Sequence, residues 1–184
     1  LSARRENLPV LEPMLTDPSP AVRAEALNAV AQIAKADGPN GPSGGDARMR
    51  AWMGVQGLIR GLVASESDPT VRGVMARTLG RLPYPTEDVA RGAAESIAAL
   101  MDGVPTDGVL RREPWFGIAH GTDALLRRFP NLRTTPGVLR VAQIPRVPSV
   151  ATAAGDDSAW SRETNVMLAA VRGRSQPRFM TFVA

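Results

Sequence analysis

The sequence predicts an all-α chain of stacked helix pairs, a solenoid, on two observations: one helix-forming segment occurs twice, and each copy opens on its own cap. The stretch from Asp17 to Ile33 recurs from Asp68 to Leu82. Pro20, Val22, Arg23, Ala26, Val30 and Ile33 fall without a gap on Pro69, Val71, Arg72, Met75, Leu79 and Leu82, 49 residues further on. Self-similarity at a fixed period is the signature of a repeat architecture. In each copy an Asp or Ser precedes a proline. That order puts an N-cap acceptor ahead of a residue whose fixed φ suits the first helical turn and whose missing N–H costs nothing there. Apolar residues then follow at i, i+4, i+8 and i+11, one face of a helix.

Taken in order, Leu8, Leu11, Met14 and Leu15 form a short apolar stripe suited to a first helix. Thr16 and Asp17 turn the chain into a second helix over about 20–35. Its inward face is Val22, Ala26, Ala29, Val30 and Ile33, with Arg23, Glu25 and Gln32 left for solvent. Ala24, Ala26, Ala29 and Ala31 are small enough to let neighbouring helices approach closely. The segment from Asp37 to Asp46 is rich in Gly and Pro, which cannot continue a helix, and reads as a flexible loop. Asp46 is placed to cap a longer helix to about Ala64, with Met49, Trp52, Met53, Leu58, Ile59, Leu62 and Val63 inward. Its partner is the second repeat copy, about 69–81, stopped by Pro83 and Pro85. Thr86, Glu87 and Asp88 start a further helix to Met101, carrying Val89, Ala93, Ile97 and Leu100, and 114–129 is its expected partner. Gly117 and Gly121 count against helix there. Gly108-Val-Leu-Arg recurs as Gly137-Val-Leu-Arg140, each expected to open a short helix. Residues 144–157 read as a long connection. A last helix is expected from Ser158 to Val171, with Trp160, Val166, Met167, Ala170 and Val171 inward and Gly173 closing it.

The sequence Asp68-Pro69-x-Val71-Arg72, with Asp17, Pro20, Val22 and Arg23 as a looser copy, resembles the HEAT repeat family, specifically the bacterial HEAT-like class whose second helix opens with Asp-Pro-x-Val-Arg. The resemblance covers about residues 7–102 and is weaker beyond. The period of 49 is slightly longer than the roughly 40–47 residues of that unit, and the excess sits in the Gly/Pro segment. The resemblance implies a right-handed α-solenoid of HEAT-like helix pairs with a less regular C-terminal part. It divides the chain into a repeat array over 1–130 and an irregular helical continuation and tail over 131–184. It also implies that the Asp and Arg of the motif brace the turn between paired helices, a structural and not a catalytic use.

Composition narrows the function classes. The chain has 184 residues, no cysteine and a net charge of +4. Disulfides and thiolate metal sites are thereby excluded. No apolar run approaches the roughly 18 residues that cross a bilayer. Lys35 is the sole lysine, so the basic charge is almost entirely arginine. Residues 1–110 hold 11 basic and 13 acidic side chains, and residues 111–184 hold 11 and 5, which places the basic excess in the C-terminal part. The chain starts at Leu1 without Met and ends at Ala184 without a terminating signal, as expected of a piece of a longer protein.

Candidate chemistry is sparse. His120, the sole histidine, stands three residues before Asp123, within reach of a carboxylate that would orient the imidazole. No cysteine, second histidine or serine elbow supplies a nucleophile. Gly44 and Gly45 lack a P-loop lysine. The pairs Glu87-Asp88 and Asp156-Asp157 sit where carboxylates complement a helix dipole. No catalytic, cofactor-binding or metal residue is assigned. The expected function is a non-catalytic scaffold whose stacked pairs offer a curved surface to a protein or peptide partner, as a module of a larger protein. The alternative is nucleic-acid binding: HEAT-like alkylpurine DNA glycosylases line a concave face with arginines and tryptophans, as Trp52, Trp115, Trp160 and the C-terminal arginines would. Their helical spacing points instead to burial. A HEAT-like lyase acting on a tetrapyrrole attached to a partner would need a reactive group that the sequence lacks.

Overall fold

The start of the second repeat copy follows directly from its residues. Asp68 Oδ1 accepts hydrogen bonds from the backbone N–H of Thr70 (2.8 Å) and Val71 (3.0 Å), while Pro69 occupies the first helical position. The helix then runs Pro69–Arg81 and ends where Leu82 leaves helical geometry ahead of Pro83. The helix Glu87–Ala99 likewise opens on a side-chain cap, Thr86 Oγ1 accepting from the Val89 N–H (3.4 Å). The computed structural model describes residues 4–37, 45–102, 104, 112–144 and 159–175. Its helices are α1 (Leu8–Leu11), α2 (Pro20–Asp37), α3 (Gly45–Leu62), α4 (Pro69–Arg81), α5 (Glu87–Ala99), α6 (Arg112–Arg128), α7 (Pro136–Ala142) and α8 (Ala159–Ser175). Short 3-10 turns cover Arg5–Asn7, Pro13–Thr16 and Pro130–Thr134, and the described residues contain no strand.

Successive helices pair, and the pairs stack. The second helices α2, α4, α6 and α8 lie side by side in one layer, α4 between α2 and α6, and α6 between α4 and α8. α5 and α7 pack on each other in the other layer, where Arg60 of α3 donates to Ser96 Oγ of α5 (3.2 Å). This is an all-α solenoid of helix pairs.

The tightest seam is between α4 and α6, and glycine makes it. A Cβ on Gly117 would overlap the carbonyl oxygen of Gly73, one on Gly121 that of Ala76, and one on Gly80 that of Gly121. The two glycines that weaken α6 as an isolated helix are what let it lie backbone-to-backbone against α4.

A single core runs through the pairs. Trp52, Ile59, Leu79, Leu82, Ile97, Leu100, Ile118, Leu125 and Val138 are fully buried in it, joined by Val30, Ile33 and Val71. Val22 is half-buried at its edge. Several local expectations change. α3 begins at Gly45, so Asp46 lies in its first turn and not ahead of it. Its buried face is Trp52, Val55, Gln56, Ile59 and Val63, whereas Met53 is exposed. α8 continues through Gly173 to Ser175. Its buried face is Ser161, Thr164, Leu168, Val171 and Ser175, and Val166 is 65% exposed. Arg23 is turned inward rather than to solvent: its guanidinium grips Glu66 through two bonds of 2.8 and 2.9 Å. The Gly/Pro loop over 38–44, the Gly108 element, the connection over 145–157 and the tail after 175 lie outside the described residues.

Candidate functional site on the second-helix layer

Residues from α2, α4 and α6 meet at the C-terminal ends of these helices. A cavity of about 580 Å³ opens there, with Lys35, Arg81, Arg127 and Arg128 around it and the small residues Ala34, Gly80 and Ala124 along its floor. Because the three last turns share one cavity, the three helices run in the same direction. Cations in last turns are the ordinary complement of the partial negative charge at helix C-termini.

The four cations are not equally committed. Arg128 is half-buried: it donates to Leu82 O and Gly80 O, both at 2.8 Å, closing the carbonyls that end α4. Its guanidinium also lies 5.7 Å from the Tyr84 ring centroid and 5.5 Å from that of Phe129. Burial works against its charge. Arg127 donates through Nε to Asp123 Oδ2 (2.8 Å), and Asp123 is buried and also pairs with Arg174 of α8. Arg81 differs. Its pKa is lowered first by burial and then by repulsion from Arg77, and no carboxylate offsets either effect. Its Nη2 lies 3.0 Å from His120 Nε2. Lys35 is exposed at the rim.

His120 is fixed by the same cluster. Its ring stacks on Phe116 (centroids 5.7 Å, interplanar angle 27°). Burial first, then the charges of Arg81, Arg77 and Arg127, push its pKa down to about 4. The imidazole is therefore neutral near pH 7. Since an arginine can only donate, Nε2 is the acceptor and Nδ1 carries the hydrogen, buried without a partner. A general base needs a free lone pair facing a substrate, and here that lone pair is taken by Arg81. Asp123, expected to orient the imidazole, is engaged by Arg127 and Arg174 instead.

The remaining described candidates are buried or paired within the fold. Trp52 is buried and donates Nε1–H to Asp37 Oδ2 (2.9 Å), and Trp115 is buried in α6. The side chain of Trp160 and the pair Asp156-Asp157 lie outside the described residues. Glu87 and Asp88 sit in the first turn of α5 and face Arg91, and Glu87 also accepts from Asn131 (3.0 Å). The described residues contain no group of three or more His, Asp or Glu able to hold a metal ion, and no helix long and apolar enough to cross a membrane.

Arginine also joins the repeats. Arg23 reaches from α2 to Glu66 in the turn before α4 while donating to Asp17 O (2.8 Å). Its counterpart Arg72 donates to Glu66 O (2.7 Å) and to Leu100 O (3.3 Å) at the end of α5. The motif Arg thus braces the turn in both copies, and Asp68 caps α4, whereas Asp17 Oδ1 accepts from the Ser19 N–H (2.8 Å) just ahead of α2. Residues 8–36, which span α1 and α2, match the family model of the HEAT repeat. Over this first helix pair the chain is similar to a HEAT repeat. No curated protein and no solved structure matches the chain. Beyond the matched segment the later pairs continue the helical array by the packing of second helix on second helix.

The cavity cluster was not legible in the sequence, because Lys35, Arg81 and Arg127 lie 46 residues apart from one to the next. The one available signal was positional: each is a basic residue in the last turn of a second helix.

Proposed function

We propose that this chain is a non-catalytic HEAT-like scaffold that binds a protein or peptide partner on the face of its second-helix layer, as a module of a larger protein. The observation that carries this reading is the side-by-side stacking of α2, α4, α6 and α8, which makes one continuous face from four pairs. Such arrays use that extended face for binding and need no catalytic residue for it. Engagement of His120 Nε2 by Arg81 and of both Asp123 oxygens by arginines fits the same reading, since the one lone pair of the neutral imidazole is taken and the buried carboxylate is tied within the fold.

Nucleic-acid binding is less well supported. An electrostatic footprint requires cations free to neutralise phosphates. Arg23, Arg72, Arg128 and Arg172 spend their donors on backbone carbonyls or on Glu66. The test is site-specific photo-crosslinking in cells of the source organism, with the crosslinker at Gln32 or Thr70 on the second-helix layer and at Asp88 or Arg91 on α5. Protein adducts from the first pair of positions and not the second are expected. Adducts from α5 only, or from neither layer, would refute the scaffold reading.

A further inference from the structure

We propose that the cavity bounded by Lys35, Arg81 and Arg127 receives the carboxylates of an acidic peptide segment in the partner, a refinement that rests on the scaffold reading above. The charge balance at the cavity is incomplete. Four cations line it and none of its lining residues is acidic. Asp123, the carboxylate that Arg127 bonds, is shared with Arg174. Three helix C-termini contribute only about −0.5 charge each. That is about −1.5 against four lining cations, so dipole complementation accounts for part of the cluster and leaves a positive excess.

The excess is concentrated on two side chains. Arg128 is consumed by Gly80 O and Leu82 O, and Arg127 has one strong bond to Asp123. Arg81 has Arg77 as a neighbouring cation and a neutral imidazole as its contact, an arrangement that an incoming carboxylate would relieve by a charge-assisted bond. Lys35 stands across the same cavity on α2, and no carboxylate is among the residues that line it. Packed helices lie about 8–10 Å apart, and side chains on one face of an extended peptide repeat every ~6.6 Å. The difference of a few ångströms is within the reach of long Lys and Arg side chains, so cations on adjacent helices can converge on alternate residues of one strand-like segment. Ala34, Gly80 and Ala124 leave room for its backbone.

A peptide is favoured over nucleic acid because the positive region does not continue along α2. Nearer the start of α2 the surface groove is lined by Leu11, Met14, Val22 and Ala29 with Glu25 as its charged group, which would repel a continuing phosphate backbone.

Fluorescence anisotropy with labelled poly-glutamate, poly-glutamine and single-stranded poly-dT, all at one ionic strength, tests this. Poly-glutamate should bind and poly-glutamine should not. Arg81→Ala and Lys35→Ala should each weaken poly-glutamate roughly tenfold, the scale of one charge-assisted bond. Arg81→Lys should retain most of the affinity, and Arg50→Ala on α3 should leave it unchanged. Circular dichroism of each variant separates lost binding from lost fold. Poly-glutamate binding no better than poly-glutamine, binding indifferent to both cavity variants, or poly-dT bound more tightly through the same residues would each overturn the proposal. If poly-glutamate fails while crosslinks still form from the second-helix layer, the acidic-peptide assignment falls and the scaffold reading stands.

Discussion

Gly117→Ala should destabilise the protein even though alanine is the better helix former. Gly in a helix interior is about 1 kcal/mol less favourable than Ala, so on propensity alone this substitution stabilises α6. The seam with α4 reverses the sign. The new methyl carbon would overlap the Gly73 carbonyl oxygen, where carbon and oxygen normally stay about 3.3–3.6 Å apart. The obstacle is backbone and cannot rotate away, so the two helices must separate. Over-packing of this kind typically costs about 1–3 kcal/mol, and a seam closed by backbone on both sides belongs at the upper end. After subtracting the propensity gain, a net loss of about 1–2 kcal/mol is expected. The internal control is Gly57→Ala in α3, where nothing lies within 4 Å of the built Cβ. That variant should gain up to about 1 kcal/mol. Urea unfolding of both, with unchanged m-values, gives the comparison directly. If Gly117→Ala were stabilised as much as Gly57→Ala, α4 and α6 would not meet through their backbones.

Three further outcomes are expected. Leu79→Ala, at a fully buried core site, should cost about 2–5 kcal/mol in the same assay, and an unchanged midpoint would place Leu79 outside the core. Arg23→Ala leaves the buried Glu66 carboxylate without its guanidinium and should cost about 3 kcal/mol, with Glu66→Gln added to it restoring part of the loss; additivity of the two substitutions would show that the pair is not coupled. His120 has a folded pKa of about 4 against an ordinary 6.5, so the unfolded chain takes up the proton first. Stability relative to a His120→Asn variant should therefore fall as pH drops from about 6.5 to about 4 and level off below, and a flat difference profile would show an imidazole that is solvated in the fold.

What the sequence disclosed depended on whether the signal was local. α4 was predicted at its observed bounds because Asp68-Pro69 and Pro83 punctuate it and its apolar period is clean. α8 was misjudged because its buried face is partly hydroxyl-bearing, Ser161, Thr164 and Ser175, so apolar periodicity pointed to the exposed Val166. Arg23 was assigned to solvent because its partner lies 43 residues away. Gly117 and Gly121 counted against α6 as single residues and favour it only once α4 is beside them. The cavity cluster failed for the same reason as Arg23: a last-turn cation is unremarkable until three such turns converge.

The arginine contacts between pairs also bear on how the array comes apart. In a one-dimensional array, stability divides into the intrinsic term of each unit and the coupling between neighbours. Strong coupling makes a repeat protein unfold as a block, whereas weak coupling lets the ends fray first. Arg23 ties α2 to the turn before α4, Arg72 ties α4 to the end of α5, Arg128 ties α6 to the end of α4, and Arg172 ties α8 to Ala142 at the end of α7 and to Ile144 just after it. Most of these bonds close carbonyls belonging to a neighbouring helix, so detaching a helix strands acceptors on the helix it leaves. The stabilisation thus resides largely in the coupling terms, which favours opening of several pairs together over stepwise fraying from α8. Amide hydrogen exchange in α2 and α8 should accordingly report opening free energies close to one another, even though these helices stand at opposite ends of the stack.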